Sequence, residues 1–245
     1  MTDRPPIVLV HGTRLSSAQW SPQVAALREE FTVEAVDLPG HGARAGESWD
    51  LGRAARVVAD AVDALGRPAV VVGHSLGGYV ALEFARRYGS GRLRGLVLAG
   101  ASAPTRGAWT GPYRLVARLV ARIPPDRLTR FNDRLFRRLY PPEVIDPTIA
   151  AGYAFAALPA AWGEVLGRYD ASVMREVAAA APDAPVLILN GEKDRLFRQG
   201  ERAFARAHGR ARIELIPRAG HLANYDAPEA FTDAVRRFAR ESSGR

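Results

Sequence analysis

The chain has 245 residues, 47% of them hydrophobic, with 34 Lys and Arg against 26 Asp and Glu, a formal net charge of +8 and no cysteine. That length suits one compact domain with room for an insertion and excludes a disordered or fibrous chain, while the missing cysteines exclude disulfides, thiolate metal sites and a cysteine nucleophile. No apolar run approaches the roughly 20 residues of a membrane span, the start at Met1 lacks the pattern of a secretory signal, and the arginines run along the whole chain without a nucleic-acid motif, so a cytoplasmic protein is expected, with no nucleic-acid partner and no stable membrane insertion.

In chain order, 7–10 and 32–36 read as strands, with a helix over 21–30 between them that has Ser21 as N-cap and Pro22 in its first turn. Asp50 caps a second helix, whose apolar positions Val57, Val58, Ala61, Val62 and Leu65 keep one face. Strands follow at 68–72 and 96–99. Nearly continuous apolar strands alternating with helices predict a mostly parallel twisted sheet with helices on both faces. After Gly100 the alternation stops, and 104–182 gives only helical patterns broken by prolines, among them Pro124, Pro125, Pro141, Pro142, Pro147 and Pro159. This stretch is too long for an ordinary loop and reads as an inserted helical subdomain between 1–103 and 183–245. Within it, Arg127 to Arg138 interleaves with Leu128, Phe131, Leu135, Phe136 and Leu139, the pattern of a helix with one buried face. Strands return at 185–189 and 212–216.

Between the strand at 68–72 and the helical pattern beginning at Tyr79 lies Gly73-His74-Ser75-Leu76-Gly77-Gly78. A strand breaking into a helix through Gly-x-Ser-x-Gly is a sharp turn that puts one serine at its apex, where the glycines remove β-carbons that would collide. A serine there needs a base to take its proton and an acid to orient that base. His221 stands in the loop after the last strand. Asp194 follows the strand at 185–189, with Glu192 two residues earlier as a second carboxylate, and no carboxylate follows the preceding strand at 99–103. In a parallel sheet all three positions fall on the carboxyl edge.

The other polar residues have plainer roles. Asp37 and His41 lie in a Pro-Gly turn in which the carboxylate is expected to bond local backbone. His74 is expected to pack beneath the elbow, and His208 to be a solvated cation at a helix end. Asp226 and Glu229 read as a capping pair for the last helix. Arg14 and Arg106 are open to either an acidic substrate or solvent.

The motifs resemble the α/β-hydrolase superfamily over essentially the whole chain: His11-Gly12-Thr13, Asp37-Leu-Pro-Gly-His-Gly42, the turn at Ser75, Gly191-Glu-Lys-Asp194, and Gly220-His221 ahead of Pro228-Glu229. The resemblance implies Ser75 as nucleophile, His221 as general base, Asp194 as its orienter, and the backbone N–H groups of Thr13 and Leu76 as an oxyanion hole. It implies no cofactor and no metal, and a small-molecule substrate. Serine at the elbow, where dehalogenase and epoxide hydrolase relatives carry aspartate, favours acyl transfer on an ester, lactone or thioester. A lyase or cofactor-free haloperoxidase that keeps the same three residues, and a ligand receptor built on the fold, are the alternatives. His11, Arg14, Trp109, Tyr113, Trp162 and Leu222 are the candidate pocket residues; oligomeric state is not readable.

Overall fold

The computed structural model describes residues 4–107, 110–120 and 122–243. Strand β1 (Ile7–Val10) is followed by a 3₁₀ turn and helix α1 (Ser21–Leu27), then β2 (Val33–Val36), α2 (Leu51–Ala64), β3 (Ala69–His74), α3 (Leu76–Tyr88) and β4 (Leu93–Ala99). Among the described residues five α-helices intervene: α4 (Thr110–Val120), α5 (Pro125–Leu139), α6 (Pro142–Ala151), α7 (Leu158–Val165) and α8 (Val173–Ala180). The chain then returns through β5 (Val186–Gly191), α9 (Glu201–His208), β6 (Ala211–Ile216), the one-turn α10 (Ala223–Asp226) and α11 (Pro228–Ser243). The strands form one sheet of order β2-β1-β3-β4-β5-β6, and every neighbouring pair is parallel. Among the described residues no single helix is long and apolar enough to cross a membrane.

Strand alternation builds two cores. Val8, Val10, Val71, Leu96, Leu98 and Ile188 face α2 and α3 on one side, whereas Ile7, Leu9, Val70, Val72, Val97 and Leu187 join Trp20, Phe231 and Phe238 on the other. Because successive side chains point to opposite faces, nearly continuous apolar strands are what a sheet covered on both sides requires. A smaller cluster of Leu15, Phe136, Val144, Ile145 and Tyr225 ties the inserted helices to the loops after β1 and β6.

Local details depart from expectation in instructive ways. Asp50 does cap α2, accepting the Arg53 N–H at 2.7 Å. Ser21 does not cap α1: the preceding 3₁₀ turn makes Trp20 the cap residue, and the Ser21 hydroxyl donates to the Ala18 carbonyl instead. On α5 only Asn132 and Phe136 are buried, and Phe131 and Leu139 face outward. Glu83, buried within α3, accepts hydrogen bonds from Arg86, Arg87 and the Tyr169 hydroxyl and so fastens the end of the insertion to the core. Burial works to raise the Glu83 carboxyl, but the Arg86 and Tyr169 hydrogen bonds and the two arginine charges bring it below its ordinary value.

Candidate active site

The turn between β3 and α3 is held by close backbone packing. A β-carbon at Gly73 would lie 2.3 Å from the Gly77 carbonyl oxygen, and one at Gly77 would lie 2.3 Å from that of Val10, so neither position admits a side chain. Ser75 between them has φ +53° and ψ −117°, a conformation that L residues rarely adopt. The surrounding chain supports it: the Ser75 N–H donates to the Ala99 carbonyl at 2.8 Å.

Two loops on the same sheet edge deliver the partners. His221 Nε2 lies 3.0 Å from Ser75 Oγ, and His221 Nδ1 lies 2.7 Å from Asp194 Oδ2. A carboxylate can only accept, so Nδ1 carries the proton and donates it, leaving the Nε2 lone pair facing the serine hydroxyl. Asp194 Oδ1 accepts the Phe197 N–H at 3.1 Å, which sets the carboxylate plane. Burial works to raise this carboxyl, but hydrogen bonding and charge from His221, with the Phe197 N–H, hold it below its ordinary value. The Phe197 ring stacks on His221 with centroids 4.2 Å apart. Glu192, the second carboxylate considered, points away and accepts the Arg218 N–H.

Beneath the three residues lies a buried relay that the sequence did not announce. Gln19 Oε1 accepts the Gly12 N–H at 2.8 Å, and Gln19 Nε2 donates to His74 Nδ1 at 2.9 Å. His74 Nε2–H in turn donates to the His221 carbonyl at 2.9 Å. The primary amide thus determines the His74 tautomer and links the loop after β1 to the loop bearing His221. Burial, then the neighbouring His221, pushes His74 down to about 3, so it is neutral and structural. Asn224 Oδ1 completes the hub at 3.4 Å from Gln19 Nε2. A lone glutamine carries no motif, and its role emerges only when the connection after β1, the end of β3 and the connection after β6 meet.

Above Ser75 opens a cavity of about 690 Å³, walled by Gly12 to Leu15 and the elbow below and by Val120, Leu128, Phe131, Leu135, Phe155, Leu158 and Trp162 of the insertion above. Such a volume suits a small-molecule ligand. Thr13, Arg14, Trp162 and Leu222 line it, and the Trp162 indole N–H donates to Thr13 Oγ1 at 2.8 Å. Arg14 takes φ +60°, with its guanidinium 5.9 Å from the centre of the Phe136 ring. Leu76 is the first residue of α3, immediately behind the serine.

Three expectations need correction, and the open reading of Arg106 is resolved toward the surface. His11 does not line the cavity: it is fully buried, donates through Nδ1 to the Gly12 carbonyl and accepts the Leu38 N–H on Nε2, and burial with the adjacent His41 lowers it to about 3. Arg106 faces away and pairs with Asp170. His208 is no solvated cation; it is buried at the end of α9, and burial followed by the Arg210 charge lowers its pKa. Asp226 accepts the Gly220 N–H at 2.6 Å, bracing the loop of His221 instead of capping α11. Asp37 accepts the local Ala43 N–H as expected and, beyond that expectation, the Ser17 N–H from the connection after β1. Trp109 and the Tyr113 side chain lie outside the described residues. Among the described residues no three His, Cys, Asp or Glu side chains converge into a metal-binding group.

The sequence model described as the alpha/beta hydrolase family matches residues 7–234. The pimeloyl-[acyl-carrier protein] methyl ester esterase of Neisseria meningitidis serogroup C is 30% identical over 242 residues, spanning 95% of this chain and 92% of the esterase. The 3-oxoadipate enol-lactonase 1 of Acinetobacter baylyi is 28% identical over 249 residues, spanning 96% and 89%. Among solved structures, a thermophilic esterase from Thermogutta terrifontis matches with a TM-score of 0.73 and 29% identity, covering 98% of this chain and 90% of that one.

Proposed function

The chain belongs to the alpha/beta hydrolase family and cleaves ester bonds, and we propose that it does so through an acyl-serine intermediate on Ser75, with His221 as base and acid and Asp194 as orienter. The observation that carries the assignment is the continuous line from Ser75 Oγ through His221 to Asp194, at 3.0 and 2.7 Å, on the floor of the cavity.

The geometry supports a specific sequence of steps. Ser75 Oγ attacks the ester carbonyl carbon while its proton passes to His221 Nε2, and Asp194 stabilises the imidazolium so formed. The carbonyl oxygen becomes an oxyanion, for which the Thr13 and Leu76 N–H groups are the donors in this assignment. Leu76 starts α3, where exposed amides and the helix dipole favour negative charge. Collapse of the intermediate expels the alcohol, which takes the proton from His221 and leaves an acyl ester on Ser75. Water, deprotonated by His221, then attacks that ester, and the acid departs as the proton returns to Ser75.

The apolar upper wall favours an acyl or alcohol portion that is small and largely hydrocarbon. A panel of p-nitrophenyl esters graded by acyl length tests the proposal. Turnover with a preferred length is expected, and Ser75→Ala should reduce kcat by at least about 10⁴-fold. Absence of turnover across the panel, or undiminished turnover in Ser75→Ala, would overturn it.

A further inference from the structure

The excess positive charge is not spread evenly along the chain. Residues 110–139, which comprise α4, α5 and their connection, hold eight arginines against two aspartates, a net +6 out of the formal +8 of the whole protein. The same segment holds five of the seven large hydrophobic side chains left exposed among the described residues, the others being Leu196 and Ile213. The five are Leu115, Leu119, Ile123, Phe131 and Leu139, at 41–61% exposure.

On α5, Arg127, Phe131, Arg134 and Arg138 follow one another at intervals of four, three and four residues, so they share one outward stripe, opposite the buried Asn132 and Phe136. Arg130 and Arg137 are paired with Asp126 and Asp146, whereas Arg127, Arg134 and Arg138 enter no ion pair among the described residues. The stripe meets the cavity at Phe131, which is both exposed and part of the lining, beside Leu128 and Leu135 of α5 and Val120 of α4.

We propose that the outward faces of α4 and α5 form a docking surface for an anionic lipid–water interface, which places the cavity mouth against the adsorbed layer. Charge complementarity selects the occupant: arginines flanking exposed Leu and Phe on helix faces are the composition of a helix that lies in a headgroup region, its apolar side chains dipping among acyl chains. These Leu and Phe side chains are 49–61% exposed on the helices, and a fluid layer can close around them. A folded acidic partner would instead need pockets shaped to receive them. Adsorption of this kind inserts no helix across the bilayer. It goes beyond the ester chemistry proposed for Ser75, since the surface binds whether or not a reaction follows.

The test is co-sedimentation with vesicles of phosphatidylcholine alone and of phosphatidylcholine containing phosphatidylglycerol, at low and high salt, with acyl carrier protein titrated separately as an acidic protein. The expected result is partition onto the phosphatidylglycerol vesicles that is at least about tenfold stronger and falls with salt. The combined variant Arg127→Glu, Arg134→Glu, Arg138→Glu should lose that partition. Leu115→Ser with Leu119→Ser should weaken it, and both proteins should keep the turnover of a soluble short-chain ester. Equal partition onto both vesicles, an unaffected triple variant, or saturable binding to acyl carrier protein without partition onto vesicles would overturn the proposal. Loss of soluble-ester turnover in the parent protein would count against the role of Ser75 instead and leave the surface standing.

Discussion

The carboxyl edge of the sheet and the helical insertion above it solve opposite problems. At the edge, Ser75, Asp194 and His221 are each fixed by backbone hydrogen bonds or by side chains that are themselves fixed, and the polar groups beneath them are buried and paired. In the insertion, α5 buries only two residues and turns Phe131 and Leu139 to the outside. Chemistry requires atoms held within tenths of an ångström, whereas admission of a hydrocarbon group requires only apolar area near an opening. The division explains why the elbow tolerates no side chain at Gly73 or Gly77 while the cavity wall is built from interchangeable Leu, Val and Phe.

That contrast can be broken at the edge most severely by Asp194→Asn. An asparagine can offer its amide N–H to His221 Nδ1 and favour the wrong tautomer, so kcat should fall about 10³- to 10⁴-fold with KM nearly unchanged. Steady-state kinetics on a soluble ester would decide it, and a change confined to KM would argue that Asp194 serves binding.

Acid should strike the same region next. His11 and His74 are held near 3 in the folded protein, far below the ordinary 6.5, so the unfolded chain takes up protons that the folded one refuses. Each therefore withdraws about 1.4 kcal/mol of stability per pH unit as pH falls below 6.5. Urea unfolding at pH 6 and pH 4.5 should differ by about 4 kcal/mol from these two groups. The depressed carboxyls of Asp194 and Glu83 add a loss of the same sign only at lower pH, as they protonate. A flat stability profile across that window would show that these histidines are not buried neutral.

Gln19→Leu is milder and sharpens the comparison, because it leaves Ser75, His221 and Asp194 in place. The Gly12 N–H and His74 Nδ1 would lose their partner, at about 1–3 kcal/mol each in stability, and kcat should drop about tenfold as the loop of Thr13 loosens. Calorimetry together with kinetics would check both halves, and a stability loss with wild-type kcat would confine Gln19 to the scaffold. The smallest effect belongs to the insertion: Phe131→Ala should raise KM for longer acyl chains about two- to fivefold and leave kcat and folding alone. A large kcat effect there would mean that the two regions are not separable.

Much of the sheet and the elbow was legible in the sequence because their constraints are local. A β-branched run broken by Gly73, Ser75 and Gly77 admits few structures, and strand ends on one edge bring Asp194 and His221 within reach. What was not legible depends on side-chain direction. His11 stands two residues before Thr13 yet turns into the core to meet Leu38, and Asp226 turns back on Gly220 instead of forward onto α11. Gln19 and Asn224 are ordinary amides until the loops converge. The dense arginines of 127–138 are visible in the sequence, but their pattern predicts a helix that buries its apolar face, and Phe131 and Leu139 instead turn outward.

The most direct test of the central claim is peptide mapping by mass spectrometry after labelling with a fluorophosphonate, which reacts with an activated serine and not with an ordinary one. A single adduct on Ser75, absent in Ser75→Ala and strongly slowed in Asp194→Asn, is the expected result. Ester turnover by a protein that carries no adduct on Ser75 would contradict the account.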